Sequence, residues 1–381
     1  MPFTDFALSV VSNLAGNILT VIFLALVAFL AAVSARKLSI LKNRKPYSQM
    51  IVDDPALTSY FCQHSDINTR YHTKSRFKNI IPEWHIEFLV EYYNKLTGSR
   101  SFNGPCVRLD GYTVENDCLT LELSTVGFYD LLSTNMTVFP GNVRYSGFWK
   151  YISLLSYLPG YYSVLAEYKN KIFSGKDDPE FPEIIGNNRL ANVLAVSAMV
   201  MDSQGNTLIV KRTSSLAISG SIYSVASTGT VIESDLVGEK GNVLSRAAVR
   251  EITEETGIIP DSVRILDIVL TKQKYQPIAL ARCDVADLKS ALLNTAKAKD
   301  FPQEVREMYI LNMSDVKTFF AVLSKAELSP ASAYSLELAF RQFHNISGGE
   351  FEIMRRKRFR NIGNYKLFSE WKYRSKVITT S

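Results

Sequence analysis

The nine residues REITEETGI, at positions 250–258, contain the side chains whose types and spacing are best suited to chemistry. Glu251, Glu254 and Glu255 stand at i, i+3 and i+4, and a helix would place these carboxylates on one face within a turn. Like charges at this spacing repel and destabilise a helix by roughly a few tenths of a kcal/mol per pair. A solvated acidic face is one interpretation. The other is a divalent cation, because carboxylate oxygens on one rigid element suit Mg²⁺ or Mn²⁺.

A helix must position these carboxylates, and the surrounding sequence predicts one. Asn242 or Ser245 can cap its N-terminus, and Gly257 ends it. Before this helix, the segments VLAVSAMVMD and TLIVKR flank a turn and predict a β-hairpin. Further upstream, the segment YTVENDCLTLELS predicts a second hairpin about an Asn-Asp turn. The acidic cluster is therefore expected on a helix that follows a pair of strands.

The pattern RExxEExGI resembles the second half of the Nudix box, GX5EX7REUXEEXGU, in which U is an aliphatic residue. The residues that fill its fixed positions are Arg250, Glu251, Glu254, Glu255, Gly257 and Ile258. The resemblance covers residues 191–325 and is to the Nudix hydrolase superfamily. It implies an α/β fold class, a Nudix-type α/β/α sandwich with a mixed sheet. An α+β region and one N-terminal transmembrane helix would precede this sandwich.

The resemblance also implies an activity, the hydrolysis of a nucleoside diphosphate linked to another moiety, with Mg²⁺ or Mn²⁺ as the cofactor. The implied metal ligands are Glu251, Glu254 and Glu255. Arg250 would orient the acidic cluster rather than touch the substrate. A carboxylate outside the box often serves as a further ligand or base, and Glu304 and Glu307 are the candidates. The catalytic set predicted in this way is Glu254, Glu255, Arg250 and Glu304.

The first half of the box departs from the pattern. Counting back from Arg250, the box places Glu at position 242 and Gly at position 236, where this chain has Asn242 and Leu236. Thr228 and Gly229 are the nearest match to the opening glycines, and an insertion in the loop accounts for the shift. This loop normally contributes a backbone carbonyl to the metal. Its remodelling leaves a second function open, a sensor that binds a nucleotide signal and drives oligomerisation or membrane perturbation.

Residues 14–33, LAGNILTVIFLALVAFLAAV, are 20 consecutive residues without a charge. This length matches the ~20 residues that a helix needs to cross a bilayer. Only Asp5 precedes the run, whereas five Lys or Arg residues follow it between positions 36 and 45. The asymmetry predicts a single-pass membrane protein with the N-terminus outside and the main body cytoplasmic. A secretory signal peptide would carry its positive charge before the apolar run, and a buried soluble helix is the remaining alternative.

The predicted organisation has four parts: a transmembrane anchor at 1–35, an unassigned α+β cytoplasmic region at 36–185, a Nudix-like domain at 186–345 and a basic aromatic tail at 346–381. The segment SGKDDPEFPEIIG, with two prolines among acidic residues, predicts the linker at the central boundary. The net charge is +6, but the residues from Arg355 onward carry +8, so the rest of the chain sums to −2. The body is therefore not expected to bind nucleic acid through overall basic charge.

Three kinds of partner are predicted: a nucleotide-derived small molecule, the lipid bilayer and further copies of this chain, with no firm nucleic-acid partner. Small residues at four-residue steps in residues 14–33 allow close packing of membrane helices. The interleaved basic and aromatic residues of the tail suit anionic lipid or single-stranded nucleic acid, and a solvated tail is the third interpretation. The four cysteines form no CxxC pair, which argues against a zinc site and a dense disulfide framework.

Overall fold

A computed structural model describes residues 50–136, with gaps at 65, 85, 88–89, 92–93 and 95–101, residues 171–172, and residues 179–359, with gaps at 214–221, 239–240, 273 and 301–303. The predicted transmembrane segment and the tail from residue 360 onward lie outside these described residues. Within the described part of the chain, no helix is both long enough and apolar enough to cross a membrane.

In these described ranges, eight strands form one mixed sheet. The strands along its main path are β1 (Ile51–Val52), β9 (Ser262–Thr271), β10 (Pro277–Val285), β5 (Ala195–Asp202), β6 (Asn206–Arg212) and β11 (Val305–Asn312). Two short strands lie off this path: β7 (Tyr223–Val225) pairs with β6, and β8 (Ser227–Thr230) pairs with β5. Strands β10 and β5 are parallel, and β9 and β10 are antiparallel. The predicted mixed α/β fold is confirmed, as is the β5–β6 hairpin.

A smaller sheet precedes the large one in the chain. Its strands, in order, are β2 (Ile67–Tyr71), β4 (Cys118–Gly127) and β3 (Pro105–Glu115). Asn116 and Asp117 join β3 to β4 with φ of 50° and 57°, the left-handed conformation that a two-residue hairpin turn requires. The backbone of Val107 in β3 also donates to Val231 and accepts from Leu194. The small sheet is thus hydrogen-bonded to the segments that enter β5 and leave β8.

Helices cover both faces of the large sheet. The acidic helix α4 (Val243–Thr256) packs through Ala248 and Ile252 on the side of β5 that presents Val196 and Ala198. The opposite side of β5 packs through Met199 on phenylalanines of α6 (Val316–Lys325), α7 (Pro330–His344) and α8 (Gly348–Phe359). The other helices whose bounds the structure describes are α1 (Pro55–Gln63), α2 (Phe128–Ser133), α3 (Phe181–Ile185), α5 (Leu288–Ala291) and the 3-10 helices Glu233–Leu236 and Leu292–Lys297.

The ends of α4 follow the signals in its sequence. The Asn242 side chain accepts a hydrogen bond from the Ser245 backbone at 3.0 Å and caps the N-terminus. Gly257 ends the helix with φ of 70°, a left-handed conformation that strains residues with a Cβ. The predicted helix is confirmed. Because its apolar side is buried in the core, the carboxylates on its other side are held by a rigid element.

Asp267, in the middle of β9, is a fully buried carboxylate without an ion pair among the described residues. It accepts hydrogen bonds from the Thr58 hydroxyl at 2.9 Å and from the Ile268 backbone at 2.8 Å. Burial raises the pKa of Asp267 to about 7 from its ordinary value of 3.8, an increase that these two hydrogen bonds moderate. The carboxyl group of Asp267 therefore stays protonated in the folded state up to about pH 7, whereas in the unfolded chain it ionises at about pH 4.

We predict that Asp267→Asn reduces the loss of stability that accompanies a rise in pH. Because the folded pKa is raised, the stability linked to this carboxyl group is fully present below about pH 4 and is lost as pH rises toward about 7. Between pH 5 and pH 8, the free energy of unfolding should fall less in the variant than in wild type, by on the order of 2 kcal/mol. Urea denaturation at both pH values measures this, with the exposed Asp261→Asn as control. An equal decrease in the free energy of unfolding between pH 5 and pH 8 in wild type and Asp267→Asn would contradict the prediction.

Candidate functional site

The innermost carboxylate of the acidic helix lies against strand β8. Glu255 is 2% exposed, and its Oε1 accepts hydrogen bonds from the Ser227 hydroxyl at 2.9 Å and the Thr228 backbone at 3.4 Å. Its Oε2 is buried and has no hydrogen-bond partner among the residues that the structure describes, and the Arg212 guanidinium lies 3.9 Å away. Burial raises the pKa of Glu255. A buried acceptor without a donor is unfavourable, so this oxygen is available to a cation or a donor from outside the chain.

The second carboxylate, Glu251, packs directly against Gly229 of β8. A methyl group on Gly229 would overlap the carboxylate carbon and both oxygens of Glu251. The absence of a Cβ at this position therefore permits the close approach of helix and strand. Burial raises the pKa of Glu251 to about 7, although the neighbouring Arg250 lowers it. Gly229 was the nearest match to the opening glycines of the box, and it lies beside the acidic cluster.

Arg250 lies between the carboxylates of the helix and a buried aspartate. Its Nε and Nη2 donate to the two carboxylate oxygens of Asp235, each at 2.9 Å. Its Nη1 donates to Glu251 at 2.8 Å and to Glu254 at 3.2 Å. The guanidinium thus offsets the repulsion that the spacing of the acids creates. The acidic spacing alone left a solvated face and a divalent cation open, and neither alternative included this arginine, whose long side chain reaches Glu251 and Glu254. The orienting role of Arg250 stays a prediction.

The inserted loop before the helix is held by a second arginine. Arg246 donates to the backbone carbonyl groups of Asp235, Leu236, Gly238 and Gly241. The two positions at which the box departs from its pattern therefore have structural roles here. The carbonyl of Leu236 bonds this arginine, and Asn242 caps α4.

Glu304, the residue before β11, faces the same site. Its carboxylate accepts a hydrogen bond from Arg212 at 2.9 Å, and burial raises its pKa. Glu307, the other candidate, instead pairs with Lys211 at 3.6 Å and accepts from the Tyr309 hydroxyl. The structure therefore brings Glu304, but not Glu307, together with the acidic helix.

A cavity of about 300 Å³ adjoins the acidic helix. Glu251, Gly229 and Glu304 contribute to its wall. The wall also includes apolar and polar groups from other elements, namely Phe128, Ile222, Ile278, Arg212, Lys274 and Gln276. Its volume is at the lower end of the roughly 300 to 1,000 Å³ typical of small-molecule sites. Apolar walls with a few convergent polar groups are the usual composition of such a site.

The acidic cluster has the donor chemistry for Mg²⁺ or Mn²⁺, since all its ligand atoms are carboxylate oxygens. The buried Oε2 of Glu255 and the close approach of Glu251 to Gly229 fit such an ion. In the described ranges, however, no three His, Cys, Asp or Glu side chains converge as a metal-binding group. The Arg250 guanidinium bonds Glu251 and Glu254 instead. The residues fit the ion by type, and no metal site is shown.

Several residues of the site were not foreseen from the sequence. Arg212 ends a strand of alternating residues, and nothing local marks it as a partner of two glutamates. Asp235 belongs to the polar insertion ESDLVGEKG, in which no local pattern indicates its contact with Arg250. Phe128 and Lys274 lie in segments that carry no motif, and only the folded chain brings them to the cavity.

No protein-family model and no curated protein matches this chain. Among solved structures, the MutT protein from Methanosarcina mazei Go1 is 18% identical over 39% of this chain and 94% of that chain, with a TM-score of 0.27. The MutT NUDIX hydrolase from Burkholderia pseudomallei is 16% identical over 38% of this chain and 96% of that chain, with a TM-score of 0.27. At these scores the likeness carries no argument about activity, so a functional conclusion rests on the side chains of the site.

Proposed function

We propose that this chain is a Nudix-type hydrolase, built on an α/β/α sandwich, that cleaves a nucleoside diphosphate derivative with a divalent metal. The observation that carries the proposal is the contact of the acidic helix with β8 at the wall of a cavity. There Glu251 lies against Gly229, and Glu255 is bonded to Ser227. Glu304, the residue before β11, lines the same cavity.

In this proposal, Glu251, Glu254 and Glu255 would hold Mg²⁺ or Mn²⁺. A divalent ion in such a site supplies Lewis-acid polarisation of a phosphoryl oxygen and lowers the pKa of water. Arg250 keeps two of the three carboxylates in place through its hydrogen bonds.

Glu304 is the candidate general base. Arg212 donates to its carboxylate at 2.9 Å, and burial raises the pKa of Glu304 above its ordinary value, which makes the carboxylate a stronger base. A carboxylate of ordinary pKa would be a weaker base, so the burial that raises this pKa supports the assignment.

The test is product release by the full chain, in detergent, from a panel of nucleoside diphosphate derivatives with Mg²⁺, Mn²⁺ or EDTA. We expect turnover that requires the metal and that falls by at least about a hundredfold in the Glu254→Gln, Glu255→Gln double variant, because two of the three proposed ligands lose their charge. A double variant with wild-type turnover, or turnover that persists in EDTA, would contradict the proposal.

A second candidate is a sensor that binds a nucleotide without efficient turnover and signals through oligomerisation or membrane perturbation. Two observations favour it: Arg250 bonds two of the proposed metal ligands, and Asn242 replaces a glutamate of the box. Saturable nucleotide binding without product release, together with a change of oligomeric size in light scattering, would select the sensor over the hydrolase.

The proposal includes a membrane anchor, with the N-terminus outside and the main body cytoplasmic. It rests on the uncharged run at residues 14–33 and the five basic residues that follow. Fractionation of the full chain and of a variant that lacks residues 1–35 tests it. We expect only the full chain in the membrane fraction after a high-salt wash, and equal distribution of both proteins would contradict the anchor.

A further inference from the structure

The wall of the cavity includes polar groups that no other group in the described part of the chain satisfies. Within those described residues, the Thr271 hydroxyl and the Arg212 Nε are buried and have no hydrogen-bond partner. Lys274 is half-buried and lines the same cavity, and its ammonium group donates to the neutral Gln276 side chain at 3.3 Å. In the described part of the chain, no carboxylate pairs with Lys274, whereas Arg212 is paired with Glu304. An ammonium group that lines a cavity without a carboxylate partner favours a ligand group that carries negative charge.

The turn that carries Lys274 is fixed from outside the predicted Nudix-like domain. Its Tyr275 has φ of 45°, and the backbone N–H groups of Lys274 and Tyr275 both donate to the Thr271 carbonyl, at 3.0 and 2.7 Å. The carbonyl of Tyr275 accepts a hydrogen bond from the fully buried Asn135 at 3.1 Å. Asn135 is fixed in turn, because its Oδ1 accepts from the Asn192 backbone at 3.0 Å.

The geometry points to Lys274 as a specificity-determining residue that binds an anionic group of the substrate in this cavity, and to Asn135 as the residue that positions it. The anionic group is a phosphate or a carboxylate on the moiety that enters the cavity. Phe128, from the same segment as Asn135, contributes an apolar side chain to the wall of the cavity that Lys274 also lines. The inference rests on the proposed function, which supplies the nucleoside diphosphate part of the substrate. Through Asn135 and Phe128, the region before residue 137 then belongs to the binding site.

The protonation of Lys274 makes the inference testable by pH. Burial, and to a smaller extent the neighbouring Arg212, lower the pKa of Lys274 to about 8. The other titratable groups of the cavity wall are Arg212, Glu251 and Glu304. Anion affinity that depends on Lys274 should therefore be present at pH 7 and decline as pH rises through about 8.

The experiment is calorimetric titration of the full chain with inorganic phosphate and, separately, with acetate, for wild type, Lys274→Gln and Lys274→Arg. We expect Lys274→Gln to weaken binding of one of the two anions by about tenfold, because a charge-assisted hydrogen bond is lost, and Lys274→Arg to restore most of it. The anion affected identifies the source as phosphate or carboxylate. The affinity of wild type should fall more steeply between pH 7 and pH 9 than that of Lys274→Gln, because only wild type loses the charge of Lys274. Equal affinities of wild type and Lys274→Gln for both anions would overturn the inference.

Asn135→Ala tests the positioning role. It should weaken binding of the same anion several-fold, while Asn79→Ala, which removes an amide bonded to Asp130 at 2.8 Å, should not. Circular dichroism establishes that each variant is folded. Unchanged anion affinity in a folded Asn135→Ala protein would refute the positioning role of Asn135. If that variant does not fold, the anion affinities of Lys274→Gln and Lys274→Arg decide the inference.

The outcomes also separate this inference from the proposed function. Anion binding that depends on Lys274, in a protein without hydrolytic activity, would support the inference and refute the hydrolase. Hydrolysis with the same KM in wild type and Lys274→Gln, and equal anion affinity, would support the hydrolase and refute the inference.

Discussion

Gly229→Ala is expected to decrease kcat/KM by at least about a hundredfold, since small displacements of catalytic groups have effects of this size. The new methyl group would occupy the position of the Glu251 carboxylate. The group in the way is the end of a flexible side chain, so Glu251 can rotate away and the fold can persist. The proposed metal ligand would then be displaced without unfolding. Turnover with Mg²⁺ and the midpoint of thermal unfolding, measured on the same preparation, test both parts of the expectation.

Gly111→Ala provides the matched control. Gly111 also lies in a strand, but a methyl group there would meet only Glu122 atoms at 3.9 Å, an ordinary contact. This variant should retain wild-type turnover. A Gly229→Ala protein with wild-type turnover would show that the approach of Glu251 to β8 has no part in catalysis. A Gly229→Ala protein that does not fold would instead show that the contact is structural.

Arg250→Gln is expected to decrease the free energy of unfolding by about 3 to 5 kcal/mol, the range found when one partner of a buried ion pair is removed. Asp235 is 4% exposed and would lose both hydrogen bonds from the guanidinium. Glu251 and Glu254 would lose the cation that offsets their repulsion. Denaturation by urea, at low and at high salt, measures the change. Because these groups are largely buried, added salt should not restore the stability.

Arg356→Gln is the control for a surface ion pair. Arg356 pairs with Glu352 at i,i+4, and its side chain is 75% exposed. Its removal should change the free energy of unfolding by at most about 0.5 kcal/mol. Similar changes in the free energy of unfolding for Arg250→Gln and Arg356→Gln would mean that Arg250 stabilises the fold no more than an exposed ion pair does. That result would contradict its role in the acidic cluster.

Local signals made the acidic helix and both hairpins predictable. Asn242 and Gly257 act within a few residues of the ends of α4, and Asn116 with Asp117 form the turn of the β3–β4 hairpin. The position of Gly229 beside Glu251 was only partly predictable. The resemblance to the Nudix box identified this glycine as the nearest match to the opening glycines, but it did not explain the residues inserted between Gly229 and the helix. The structure accounts for them through the hydrogen bonds of Arg246 to the loop.

The rest of the site depends on contacts between distant segments. Arg212 and Glu304 are 92 positions apart, and Asn135 and Tyr275 are 140 positions apart. No local pattern in the sequence encodes such pairs. The role of the predicted region 36–185 could not be predicted from the sequence for the same reason. Phe128 belongs to no motif, and it reaches the cavity only in the folded chain.

The most direct test of the central claim is the binding of Mn²⁺ to the full chain, followed by electron paramagnetic resonance. The claim is that Glu251, Glu254 and Glu255 hold a divalent cation beside Gly229. We predict saturable binding in wild type that Mg²⁺ displaces, and its loss when all three glutamates are replaced by glutamine. Mn²⁺ binding that is absent from wild type, or that is unchanged in the triple variant, would contradict the metal-dependent hydrolase.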